Sequence, residues 1–229
     1  MKILNLNIQG YNNFNKRKPK IVKFIQKHNP DIITLQEVRD DLRFNKKGNN
    51  QAKQLQKEIN YPFCLFMKTM DINKVNKTMN NPKCFEGIAV ISKHPIIKTI
   101  KKKLKKHQRD EYTRGILYVR INKMDIFVVH FSPDDLFSKL HLIETLKYIK
   151  QKNILPIIIG DFNIRKKYII KSVLSKEYIS SSNIKKYISY PPAKYTLDYI
   201  IIPKDLRFKS FACIGNELSD HKALVAEIE

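Results

Sequence analysis

Apolar residues in this chain fall into short alternating or continuous runs, separated by stretches in which they recur every three or four positions. This predicts strands and helices in turn. Ile3 to Ile8 alternate as a first strand that Gln9-Gly10 ends, with Asn7 near its carboxyl end. Residues 16–29 carry Ile21, Val22, Phe24 and Ile25 among lysines, a helical face that stops before Asn29-Pro30. Asp31 to Leu35 form a second strand with Gln36-Glu37-Val38 at its end, and a strand–helix–strand unit of this length implies a parallel crossover. A helix is expected over 49–60, a strand beginning at Tyr61-Pro62-Phe63, a mobile Asn- and Lys-rich loop over 67–83, and a strand from Glu86 to Ser92. The run Lys101-Lys102-Lys103-Leu104-Lys105-Lys106-His107 reads as a solvated edge strand, because lysines blunt edges. Gly115–Ile121 and Asp125–Val129 form a hairpin followed at once by His130. Residues 133–152 read as an amphipathic helix through Leu136, Leu140, Ile143, Leu146 and Ile149. A helix and a polar loop follow over 164–190, then strands from Tyr195 to Ile202 and from Ala223 to Ile228. With no internal repeat and no Gly-, Pro- or Ser-rich linker, residues 1–229 read as one domain.

One stretch organises the rest. Ile157-Ile158-Ile159 is a short β-branched run, and Gly160 lets the backbone turn where the strand ends. Asp161 and Asn163 follow two residues apart, so on an extended backbone they point to one side. Such a pair can hold a hard cation or a phosphate; taken alone it reads first as a strand-to-turn cap. What changes the balance is the matching polar residues beside other strands: Asn7, Glu37, Glu86, His130, Asp198, Asp220 and His221. Charges beside apolar strands are costly without a partner or a metal.

Composition narrows the field. Hydrophobic residues make up 42% of 229, an ordinary globular fraction, and no apolar run approaches a membrane span. The N-terminus is too short and polar for a signal peptide, which predicts a cytoplasmic protein. Cys64, Cys84 and Cys213 are too sparse for a disulfide framework or a zinc site. Lys and Arg number 44 against 21 Asp and Glu, for a net charge of +23. AT-rich coding accounts for Lys over Arg but not for the excess itself, which favours a phosphate-rich partner.

This set suits metal-assisted phosphodiester hydrolysis. Mg²⁺ takes oxygen ligands and keeps waters, so one or two carboxylates suffice. Glu37 is the first candidate ligand, with Asn7 and Asp220 beside it and Mn²⁺ or Ca²⁺ as substitutes for Mg²⁺. His130 and His221 are candidate general acid and base, each oriented by a carboxylate. Asp161 and Asn163 would align the attacking water and the phosphate oxygens.

Asn7-Ile8, Leu35-Gln36-Glu37-Val38, Gly160-Asp161-Phe162-Asn163 and Ser219-Asp220-His221, in this order, resemble the endonuclease/exonuclease/phosphatase superfamily. The resemblance implies an α/β fold: two β-sheets packed as a sandwich and flanked by helices, a four-layer α/β/β/α architecture with the site at one end. Several details are similar to pancreatic-type deoxyribonucleases. By that resemblance Arg39 reaches the DNA minor groove, Glu86 orients His130, Arg114 contacts phosphate, Asp198 pairs with His221, and Tyr168 follows Asp161-Phe162-Asn163 as a substrate-binding residue. Glu86 to Ile96 is also similar to bacterial sphingomyelinases, and Gln36-Glu37-Val38 with Arg114-Gly115 to tyrosyl-DNA phosphodiesterases.

The leading expectation is a Mg²⁺-dependent endonuclease acting on DNA as a monomer with little sequence preference, through backbone and groove contacts and without an aromatic stacking platform. A phospholipid or small-phosphoester hydrolase is a second reading. A non-catalytic polyanion-binding module is a third.

Overall fold

The computed structural model describes residues 1–75 and 83–229. The first half runs β1 (Lys2–Asn7), α1 (Phe14–His28), β2 (Ile32–Asp41), α2 (Gln51–Ile59), β3 (Phe63–Asp71), α3 (Ile72–Val75), β4 (Cys84–Ser92) and β5 (Ile96–Lys103). The second half runs β6 (Gly115–Ile121), β7 (Met124–His130), α4 (Asp135–Lys152), β8 (Ile157–Asp161), α5 (Lys167–Val173), β9 (Tyr178–Ser180), α6 (Ser181–Ile184), β10 (Asp198–Pro203), β11 (Phe208–Ile214) and β12 (Ala223–Ile228). They form two mixed six-stranded sheets, ordered β11-β12-β1-β2-β4-β3 and β5-β6-β7-β8-β10-β9. As the β–α–β spacing predicts, β1 and β2 are parallel, and so are β7 and β8 across α4.

Three apolar layers hold the stack together. Ile3, Ile32, Val90, Val128, Ile159, Ile200 and Leu224 meet between the two sheets. Leu4, Leu6, Ile33 and Leu35 face Ile21, Ile25 and Leu55 of α1 and α2, and Phe127, Val129 and Ile158 face Leu142 and Ile149 of α4. The result is the expected α/β/β/α sandwich, in which each central strand is apolar on both faces.

Period-two alternation then places the polar residues. On β7, Ile126 and Val128 point between the sheets and His130 takes the next position on that face; on β8, Ile157 and Ile159 are followed in the same way by Asp161. Asp198 precedes Ile200 and Ile202 on β10, Glu86 precedes Ile88 and Val90 on β4, and Asn5 and Asn7 follow Ile3 on β1. Five strands thus end their inter-sheet faces with polar groups at one edge of the sandwich.

The basic run enters an edge strand, β5, paired only with β6, through Lys101–Lys103; Leu104 to His107 lie beyond its end. Other expectations need correction. Residues 67–71 belong to β3, not to a loop, because pairing with β4 buries Met67 and Met70, and 72–75 are helical. The rest of that expected loop, 76–82, lies outside the described residues. The β10 strand begins at Asp198 rather than Tyr195, and β11 is an additional strand. Helix α4 buries Ser138, His141, Leu142, Thr145 and Ile149, while Leu136 is exposed. Its polar face can turn inward because it is satisfied there: His141 Nδ1 accepts the Ser132 N–H at 3.3 Å, and Thr145 Oγ1 donates to the His141 carbonyl at 2.7 Å. No described helix is long and apolar enough to cross a membrane.

Candidate active site

The polar edge opens into a cleft of about 530 Å³ whose lining includes Glu37, Glu86, His130, Asp161, Asn163, Asp220 and His221. Gly160 is indispensable to its floor. With φ at +148°, a Cβ there would sit 1.9 Å from the Val129 carbonyl oxygen, so only glycine lets β8 lie this close to β7. Asp161, directly after it, is fully buried. Its Oδ1 accepts the Asn163 backbone N–H at 2.9 Å, and its Oδ2 accepts Asn7 Nδ2 at 3.0 Å. Asn163 itself has a left-handed backbone, φ 53°, and its side-chain amide donates to the Phe131 carbonyl at 3.1 Å.

Both histidines aim at the same atom. His130 Nε2 lies 3.7 Å and His221 Nε2 3.9 Å from Asp161 Oδ2. Their charges differ. Burial opposes a proton on His221, but the charge and hydrogen bond of Asp198, at 2.8 Å from Nδ1, outweigh it with help from Asp161 and Asp220, so the pKa is pushed up to about 10. Asp198 is held in turn by its own backbone N–H, which donates to Ser189 Oγ at 3.0 Å. Burial lowers His130 well below the ordinary range, and the positive charges of Arg114, His221 and Arg39 lower it further. His221 is therefore an imidazolium at neutral pH and His130 a neutral ring. Between them, burial and the Asp198 charge raise Asp161 to about 7, against the opposing pull of His221 and of its hydrogen bonds from Asn7 and Asn163.

Glu86 does not touch His130, as the family resemblance implies it should. Arg114 stands between them: its Nη1 is 3.1 Å from Glu86 Oε1 and 3.0 Å from His130 Nδ1. A guanidinium only donates, so Nδ1 accepts and the ring proton sits on Nε2, facing Asp161. The other Glu86 oxygen holds Arg39 Nη2 at 2.8 Å. One buried carboxylate thus fixes two arginines at the cleft wall. Arg39 Nε and Arg114 Nε are buried without a protein partner.

Glu37 reaches the cleft by breaking the alternation. Strand parity would turn it toward the helices. A β-bulge between Leu35 and Val38, with Glu37 at φ 54°, turns it to the site instead. Asn7 Nδ2 donates to Glu37 Oε1 at 3.0 Å, while Asn7 Oδ1 accepts the Gln9 N–H at 3.1 Å. The Asn7 oxygen is thereby engaged, and Asn7 tethers Glu37 to Asp161. Burial raises the Glu37 pKa, and the nearby charges of Glu86 and Asp220 raise it further, though Asn7 and His221 lower it. A half-buried carboxylate crowded by two others fits a cation by the chemistry of its donors. A second acidic cluster, Asp161, Asp198 and His221, also has ligand atoms within 4.8 Å of one another. There His221 Nδ1 is already committed to Asp198.

Tyr168 is exposed on α5 and does not line the cleft. The aromatic residues at the cleft are Tyr112, Tyr190 and Tyr195. Tyr190 packs against His221, ring centroids 4.8 Å apart, and Tyr112 lies under the Arg114 guanidinium at 4.8 Å. Arg165, also unforeseen, lines the same cleft. Tyr190-Pro191-Pro192, an aromatic turn just before Asp198, is the signal that points to Tyr190 and Tyr195; no pattern marks Tyr112 or Arg165.

Known proteins share this architecture. No curated protein sequence matches the chain. An endonuclease/exonuclease/phosphatase family protein from Leptotrichia buccalis is 22% identical, with 100% of this chain and 99% of that one covered and a TM-score of 0.78. The human Nocturnin catalytic domain with bound sulfate anion is 19% identical, covering 100% and 94%, at 0.72. A mannosyl-6-phosphatase from Bacteroides thetaiotaomicron is 15% identical, covering 100% and 99%, at 0.71. These likenesses establish the fold. The model of the Endonuclease/Exonuclease/phosphatase family matches residues 4–221, nearly the whole sequence. The chain therefore belongs to the endonuclease/exonuclease/phosphatase family, whose members are hydrolases of phosphoester bonds.

Proposed function

We propose that this protein is a divalent-cation-dependent phosphodiesterase that hydrolyses nucleic acid, DNA foremost. The observation that carries the reading is the convergence of two oppositely poised histidines on Asp161 Oδ2, in a cleft walled by Arg39 and Arg114. A carboxylate with a pKa of about 7 is matched to take a proton from water at neutral pH. Asp161 is accordingly the general base, and Asn163, whose backbone N–H holds Asp161 Oδ1, keeps it in place. The His221 imidazolium and the neutral His130 Nε2–H meet the phosphoryl oxygens as a cation and a hydrogen-bond donor, and Arg39 and Arg114 add charge where it develops. This replaces the simple acid–base pair of histidines: at a pKa of about 10, His221 serves better as a fixed charge than as a proton shuttle.

Glu37 and Asp220 would hold the cation, with Asn7 orienting Glu37. Mg²⁺ would polarise a phosphoryl oxygen and offset charge on the leaving oxygen. A net charge of +23 favours a polyanion over a neutral sugar phosphate. The Nocturnin structure was solved with a bound sulfate, an anion of phosphate's shape.

The test is nicking of supercoiled plasmid with Mg²⁺, with and without chelator, beside His221→Ala. Nicking that needs both cation and His221 is expected. Folded protein that leaves plasmid intact but hydrolyses bis(p-nitrophenyl) phosphate would move the substrate to a smaller phosphoester. Turnover of neither would overturn the reading.

A further inference from the structure

Beside the cleft lies a second, shallower groove of about 510 Å³. Its charged lining is Arg165, Lys167, Lys186, Lys194 and Lys222, with no carboxylate among its lining residues. Some surface lysines are answered, Lys18 by Glu58, Lys93 by Asp31, Lys102 by Glu144 and Lys209 by Glu227, and in the groove Arg165 pairs with Asp135 at 3.8 Å. None of the four groove lysines lies within ion-pair distance of a carboxylate among the described residues. The groove therefore gathers four lysines without ion-pair partners on one lining that holds no carboxylate.

The two depressions are continuous. Arg165 and Tyr195 line both. Tyr195 is 40% exposed, yet its backbone is fixed: it exchanges hydrogen bonds with Tyr190 at 2.9 and 3.1 Å, and its carbonyl also accepts the Ser189 N–H at 3.1 Å. The Arg165 guanidinium lies 5.9 Å from its ring centroid. A half-exposed aromatic ring on a fixed backbone, between the cleft and four unpaired lysines, has the form of a base-stacking platform beside a backbone track.

We propose that this groove is a flanking subsite for a nucleic-acid strand: its lysines take phosphates next to the scissile one, and Tyr195 stacks the base between them. The inference rests on the phosphodiesterase reading above and sharpens its substrate. A base must leave the duplex to lie on a tyrosine face, so the favoured substrate is single-stranded, frayed or terminal nucleic acid.

The test is a binding measurement in chelator, where no turnover occurs. A short labelled single-stranded oligothymidylate and a blunt duplex of equal length are titrated against the wild type and three variants, over a range of salt. Lys186→Glu/Lys194→Glu reverses two exposed groove charges. Lys98→Glu/Lys204→Glu makes the same change in net charge at exposed positions on the ends of β5 and β10 away from the cleft. Tyr195→Ala removes the platform. The groove variant should lose about tenfold or more in single-strand affinity, and its log K against log salt should flatten by about 0.7 for each phosphate the groove no longer neutralises. The remote variant should lose about twofold at most, and Tyr195→Ala should cost about tenfold on the single strand while sparing the duplex. Equal losses in the groove and remote variants would reduce the effect to the general field and overturn the proposal. So would duplex and single strand that respond alike to Tyr195→Ala. Groove-dependent binding with turnover of neither plasmid nor bis(p-nitrophenyl) phosphate would sink the phosphodiesterase reading and leave the subsite standing; turnover without groove-dependent binding would do the reverse.

Discussion

Replacing Asp198 with Asn tests the proton inventory of the site. Asp198 is fully buried, and its Oδ2 holds His221 Nδ1 at 2.8 Å. Burial by itself pulls the His221 pKa down; the Asp198 charge is the largest influence raising it, to about 10 from 6.5. A rise of that size corresponds to roughly 5 kcal/mol of preference for the charged ring. Asn keeps the shape and an acceptor oxygen but removes the charge. The desolvation then opposes only Asp161 and Asp220, and the ring should lose its proton near or below neutrality. With the imidazolium gone, turnover at pH 7.5 should fall by about 10² to 10³, the scale of removing one preorganised charge or donor from a transition-state site.

The same change has a stability signature. The folded pKa of His221 lies above its unfolded value. Its contribution is therefore fully present below about 6.5 and is lost as pH rises through about 10. In the wild type, unfolding free energy should decline across that window, and in Asp198→Asn this decline should vanish. Proton NMR of the imidazole, with urea unfolding at about pH 6 and pH 9, reads both quantities. An Asp198→Asn variant whose His221 ring is still cationic at about pH 9, or whose activity stays within about twofold of wild type, would refute the assignment.

Other changes probe other supports. Gly160→Ala would place a Cβ 1.9 Å from the Val129 carbonyl oxygen at an unfavourable φ, and should cost more than about 3 kcal/mol; an unaltered thermal melt would contradict this. Glu86→Gln should release Arg39 and Arg114, raising KM for a phosphodiester about tenfold or more, with a loss of stability of about 3 kcal/mol from breaking a buried pair; unchanged KM and melting would dismiss the clamp. Glu37→Gln removes a carboxylate whose ionisation burial and its neighbours disfavour. Its cation-free form should melt no lower than the wild type, yet lose the stabilisation that Mg²⁺ gives, about 2.7 kcal/mol at a hundredfold excess over Kd. Equal Mg²⁺-induced melting shifts in both proteins would remove Glu37 as a ligand.

Much of this was legible in the sequence because alternation fixes direction. Apolar residues at 126 and 128, or at 157 and 159, face the core between the sheets, so His130 and Asp161 had to follow on that face. The same parity places Asn7, Glu86 and Asp198. The flanking helices were less legible where burial ran against polarity. Helix α4 turns His141 and Thr145 inward because Ser132 and the helix's own carbonyls satisfy them, and no periodicity of apolar residues reveals that. The loop expected from residue 67 failed similarly over 67–71, because β4 supplied a pairing partner that composition does not show.

What alternation could not supply is the chemistry of the third partner. Pairing Glu86 with His130 by resemblance needs only that the two strands end near each other. That Arg114 enters between them follows from its position one residue ahead of Gly115, where β6 closes against β7. The consequence reaches the mechanism. A carboxylate against Nδ1 would have made His130 a second cation; a guanidinium makes it a neutral donor and leaves Asp161 as the group poised near neutrality. Glu37 shows the same limit from the backbone side. Parity aims it at the helices, and one residue inserted in β2, held in a left-handed conformation, turns it into the cleft. The two departures from the regular pattern, a bulge and an intervening arginine, thus decide which groups the cleft presents to the proposed cation and phosphate.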